Sequence, residues 1–122
     1  MGKAGHIQTR PPEYGSSISA SAQSSLCRFL SSVGLTIFTE DGRDYPEYAD
    51  RWEIPIPTTR REGRYVCDLE RMHEISDRLR TRPELVTDRS GNPVGDIAAD
   101  ILDEGVAAAV KSRDCSIVID WW

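Results

Sequence analysis

The chain has 122 residues, 39% hydrophobic and 29% charged, and a formal net charge of −5. That length suits one domain able to bury a core without metal ions or cross-links. The longest uncharged apolar stretch, Phe29 to Thr39, falls well short of the roughly 20 residues that a membrane-spanning helix needs.

Residues 1–15 read as a flexible tail. They contain Gly2, Gly5, Pro11, Pro12 and Gly15, with Ile7 as the only clear aliphatic anchor. No apolar signal-peptide core is expected there, and His6 stands where a myristoylation signal requires Ser or Thr. Residues 16–122 are read as one α+β domain. Ile18, Ala22, Leu26, Phe29, Leu30 and Val33 recur at helical spacing and predict a helix over about 17–33, which Gly34 can end. Leu35 to Thr39 is rich in β-branched and aromatic residues and predicts a strand, and Asp41-Gly42 marks a turn. Trp52 to Ile56 alternates, but Pro55 cannot donate to a ladder, so this segment is placed at a sheet edge. Arg60-Arg61-Glu62-Gly63 reads as an exposed turn leading into a short strand over 64–67.

A second helix is predicted over about 68–80, with Asp68 as N-cap and Leu69, Met72, Ile75 and Leu79 on one face. Pro83 stops it, and the Asp88 to Val94 stretch has the composition of a tight turn. A third helix over about 96–112 carries the apolar stripe Ile97, Ala98, Ile101, Leu102, Val106, Ala109 and Val110. The last element is a strand over 115–122, with Ile117, Ile119 and Trp121 on the core face. The fold class expected is α+β: about three helices packed on a small, largely antiparallel sheet.

Cys27, Cys67 and Cys115 are odd in number and form no CxxC pair. They are therefore expected as free thiols in a reducing cytoplasm, with neither a disulfide framework nor a zinc site. His73-Glu74-x-x-Asp77 lacks the second histidine of a zinc-protease helix, and no phosphate loop or nucleophile elbow occurs. No catalytic residue, metal or cofactor is assigned. The acidity lies beyond residue 38, since residues 1–38 set Lys3, Arg10 and Arg28 against Glu13 alone. An acidic body disfavours sequence-independent binding to phosphate backbones and membranes.

Partner binding is the remaining class. Trp52, Trp121 and Trp122 are expected to anchor a partner, because tryptophan is enriched at interface hot spots. Asp100, Asp103 and Glu104 on the third helix would add electrostatic steering. Arg60, Arg61 and Arg64 form a basic spot suited to a carboxylate or phosphate. The chain thus reads as a small non-enzymatic binding protein of the inhibitor, antagonist, immunity-protein or antitoxin type, a bacterial or phage accessory protein. The partner expected is a protein, of a basic nucleic-acid-handling kind, and an edge strand offers a route to a homodimer.

Two alternatives stand beside it. Ala49, Glu53, Ile54 and Thr58 are spaced as in the helix-turn-helix of excisionase-like DNA-binding proteins, which residues 47–64 resemble. That resemblance implies Thr59, Arg60 and Arg61 facing the major groove. The other alternative is an enzyme or small-ligand binder whose pocket the sequence does not advertise.

Overall fold

The computed structural model describes residues 4–6, 17–39, 46, 49 and 51–121. The sheet that carries the core follows from alternation. In β4 (Arg51–Pro55) Trp52 and Ile54 are buried between exposed Arg51, Glu53 and Pro55, and in β7 (Ser116–Trp121) Ile117 and Ile119 are buried. The strands pair antiparallel with Trp52 opposite Ile119 and Ile54 opposite Ile117, so four large apolar side chains share one face. With β1 (Ala4–His6), β2 (Ser17–Ser19) and β3 (Phe38–Thr39) they form a five-stranded sheet in the order β2-β1-β7-β4-β3. β1 comes from the stretch read as a tail and pairs with β2 and β7.

β4 is an interior strand rather than the edge strand expected from Pro55, and the reason is direction. The Ile56 N–H donates to the Cys115 carbonyl at 2.8 Å. Alternation therefore aims the Pro55 nitrogen the other way, toward β3. β3 is only two residues long and pairs with Trp52 and Glu53, so it never reaches Pro55 and no ladder bond is lost.

The helices cover the apolar face. In α1 (Ala20–Ser32) Ala22, Leu26, Phe29 and Leu30 are buried at the predicted spacing. Gly34 ends it at φ 87°, where the Leu35 N–H reaches back to the Leu30 carbonyl at 3.0 Å. Its start differs from the expectation, because Ser17–Ser19 pairs with β1 instead of extending the helix. The serine-rich start has little intrinsic helical preference to resist that pairing. In α2 (Leu69–Thr81) the Asp68 carboxylate caps the first turn by accepting the Arg71 N–H at 3.0 Å. Met72, Ile75 and Leu79 are buried, as are Ala98, Ile101, Leu102, Val106 and Ala109 of α3 (Gly95–Lys111).

Between α2 and α3 lie a 3-10 turn at Pro83–Leu85 and a bridge between Thr87 and Pro93. Asp88 organises this loop by accepting the Ser90 and Asn92 backbone N–H groups, each at 2.9 Å. Hydrogen bonds from Asn92 first hold its carboxyl below the usual carboxylate range.

Gly95 marks the closest approach of α3 to the end of α2. A Cβ there would lie 2.6 Å from the Pro83 Cα and 2.9 Å from the Leu79 carbonyl oxygen, both backbone atoms. Gly95→Ala is therefore expected to cost about 2–3 kcal/mol as the helices are forced apart. Urea denaturation checks this, and an unchanged midpoint would show that the α2–α3 junction is looser than described. Among the described residues no helix is long and apolar enough to cross a membrane.

Candidate functional site

One part of the chain stands outside the five-stranded sheet and meets the core only at its end, through Cys67. β5 (Thr58–Arg61) and β6 (Arg64–Cys67) pair only with each other. Every residue from Thr58 to Val66 is exposed. Four paired residues per strand give an arm about 13 Å long. Glu62 and Gly63 form its two-residue tip at φ 51° and 77°, the left-handed pair of a type I′ turn, which matches the twist of the strands. Glycine adopts this conformation freely, whereas at Glu62 it costs about 1 kcal/mol.

The register decides what the arm presents. Arg60 lies opposite Tyr65, Arg61 opposite Arg64, and Thr59 opposite Val66. Like charges directly opposite across a strand pair are destabilising. None of the three arginines has an ion-pair partner among the described residues. Tyr65 is 74% exposed, the most open large hydrophobic described, and Val66 beside it is 38% exposed. Opposed charges, an uncovered aromatic ring and a non-glycine residue at positive φ all work against local stability on this arm. Such conflicts between sequence and stability concentrate at functional surfaces.

The root of the arm is fixed where its tip is not. The Asp68 N–H donates to the Pro57 carbonyl at 2.7 Å and closes the hairpin, while the Ile56 bond to Cys115 continues the ladder between β4 and β7. Cys67, the last residue of β6, is joined by a disulfide to Cys115, immediately before β7, with Cα atoms 5.5 Å apart. This corrects the expectation of three free thiols. The cysteines are 48 residues apart in sequence, and the α2–α3 pair returns the chain to the root of the arm. Cys27 is outside the disulfide and buried.

The other residues expected at a binding surface are dispersed. Trp52 is not a surface anchor: it is fully buried, and its indole N–H donates to the Pro46 carbonyl at 2.6 Å. Of Trp121 only the backbone is described, at the end of β7 and opposite Gly5, and Trp122 lies outside the described residues. Asp100 and Asp103 serve the fold, clamping Arg80 of α2 at 2.7 and 2.6 Å. Hydrogen bonds to Asp100 and then Asp103 raise the Arg80 pKa above its already high ordinary value. Much of the field once assigned to these acids is therefore spent across the α2–α3 contact. Glu104 is half-buried on the same helix.

Arg60, Arg61 and Arg64 do come together, but on strands. Residues 51–55, 58–61 and 64–67 are extended, so the helix-turn-helix reading of 47–64 has no recognition helix. Pro55 and Pro57 disfavour helical backbone in the residues before them, and alternation sends Arg60 and Arg61 to opposite faces of the hairpin. The sequence flagged the arginines as a basic spot and the tip as a turn. It did not flag Tyr65, whose exposure depends on how the arm stands against the rest of the chain.

A cleft of about 630 Å³ lies between the C-terminal half of α3, at Gly105, Ala108 and Ala109, and the start of β7, at Ser116 and Val118. The volume falls in the range of ligand sites. Its lining mixes small side chains with the charged Lys111 and Asp114, and Arg51 and Asp120 pair across it at 2.5 Å. Among the described residues no cluster of His, Cys, Asp and Glu could hold a metal ion. No known protein family, curated protein or solved structure matches this chain.

Proposed function

We propose that this protein is a small non-enzymatic binder, an inhibitor or antagonist in its mode of action, that inserts the β5–β6 arm into an acidic cleft of a partner protein. One observation carries this reading: three arginines with no ion-pair partner among the described residues and the exposed Tyr65 ring stand on a protruding hairpin fixed at its root. Tyrosine and arginine are the residue types enriched at interface hot spots. A root held in place reduces the entropy lost on docking. The unpaired guanidiniums favour carboxylates on the partner, because a planar fork binds a carboxylate in two places at once. A net charge of −5 makes nucleic acid the less favoured target. These guanidiniums move the proposed partner from the basic type first expected to one with an acidic groove.

A working place in the cytoplasm belongs to the same proposal. There the Cys67–Cys115 pair would meet a reducing thiol pool.

The test compares the wild-type chain with Tyr65→Ala and Arg60→Ala as bait in nuclease-treated host lysate. A partner identified by mass spectrometry should bind each variant about 30-fold more weakly, the effect of one hot-spot residue worth about 2 kcal/mol. A partner held equally well by wild type and variants would place the contact elsewhere and remove the arm from the mechanism. Recovery of nucleic acid that disappears at high salt would turn the reading toward a phosphate backbone.

A further inference from the structure

We propose that the Cys67–Cys115 disulfide is a redox control on the arm: oxidised, it holds the arm on the body, and reduced to two thiols it lets the arm open. The proposal rests on the arm's being the binding element. It follows from how few ties the arm has. Residues 58–66 are exposed throughout, and Thr59, Arg61 and Val66 border the first turn of α2 across a shallow cleft. The Asp68–Pro57 bond closes the hairpin on itself and does not tie it to the sheet. On the β5 side the ladder ends with Ile56 donating to Cys115. On the β6 side Cys67 packs against the core and leads through Asp68 into α2, and its link across to the residue before β7 is the disulfide.

Access and selectivity fit a control element. Cys67 and Cys115 are both half-buried, whereas Cys27 is buried and held away from exchange. Disulfides within reach of solvent are the reducible ones. The reductant proposed is a dithiol. One thiolate attacks a sulfur of the pair and forms a mixed disulfide. The second thiol then resolves it. Two electrons and two protons pass to the protein, which leaves with free Cys67 and Cys115 thiols, and the reductant leaves as its disulfide. Return to the closed state requires a disulfide oxidant. Opening of the root replaces a fixed arm with an ensemble, so a partner must pay to order it again.

The arm carries its own reporters, because trypsin cleaves after Arg60, Arg61 and Arg64 but needs several residues of locally opened chain to do so. The full chain is treated with trypsin oxidised, after reduction with dithiothreitol, and as the Cys67→Ser/Cys115→Ser variant, at a temperature where near-ultraviolet circular dichroism shows all three folded. Cleavage within the arm is expected to quicken about tenfold on reduction and in the variant and to stay faster than cleavage at Arg71 and Arg78 in α2, which follows global unfolding. Equal arm cleavage in both redox states would overturn the proposal. So would arm cleavage no faster than cleavage at Arg71 and Arg78, which would make global unfolding its route. Neither measurement involves a partner, so failure here leaves the binding role of the arm standing, and failure to find a partner leaves the redox response measured.

Discussion

Trp52→Ala is expected to lower stability by about 3–5 kcal/mol, the range for deleting a fully buried large aromatic side chain. Against a total of about 5–15 kcal/mol for a domain, that brings this one close to unfolding. Two effects add. The first is the cavity left beneath β4, since Trp52 is completely buried with Ile119 opposite it on β7. The second is polar. The Pro46 carbonyl accepts from the Trp52 indole at 2.6 Å and from the Gln23 side chain at 3.2 Å, and Gln23 also donates to the Ala49 carbonyl at 2.8 Å. Gln23 is itself buried, so α1 and β4 together pin the chain at Pro46 and Ala49 over the core. Trp52→Phe keeps most of the ring packing, loses the indole donor and should cost about 1–2 kcal/mol. Urea denaturation followed by circular dichroism separates the two variants. A Trp52→Ala chain as stable as wild type would return this residue to the surface role that its chemistry first suggested.

Reduction of the Cys67–Cys115 bond is expected to cost about 4 kcal/mol, from the chain entropy released when a loop of 48 residues is no longer closed. The corresponding fall in the melting midpoint is on the order of 15 °C. Calorimetry with and without a phosphine reductant reads the shift. Thiol titration in denaturant checks its cause: the oxidised chain should show the Cys27 thiol alone, and reduction should expose all three cysteines. Equal midpoints in the two states would mean that the bond contributes nothing to the fold. The cost falls on the domain as a whole, whereas the proposed release of the arm is a local event in the native state. Equilibrium melting and site-resolved proteolysis therefore measure different consequences of one bond.

Both results concern residues whose roles depend on neighbours distant in sequence. The helices do not. Asp68 as a cap, the apolar positions 72, 75 and 79, and the stripe along α3 place α2 and α3 within a residue of their observed bounds. A helix closes its hydrogen bonds within four residues, so caps and periodicity record it locally. The alternation of Trp52 with Ile54, and of Ile117 with Ile119, likewise marks the strands and the α+β class before any pairing is known.

What tertiary structure decided is which of these patterns meet. Arg80 and Asp100 stand 20 residues apart, and the antiparallel return of α3 along α2 turns a supposed acidic surface into an ion-paired clamp. Pro55 looked like an edge marker until the direction of its missing N–H relative to a two-residue β3 was fixed. Arg60, Arg61 and Arg64 were legible as charges, but their place on an arm reflects that, among the described residues, β5 and β6 pair with each other alone. Sequence by itself determined α2, α3, the core stripes and the basic tip, because each is encoded within a few residues. The disulfide, the burial of Trp52 and the exposure of Tyr65 were set by chain reversal, since distance in space between remote residues leaves no local trace.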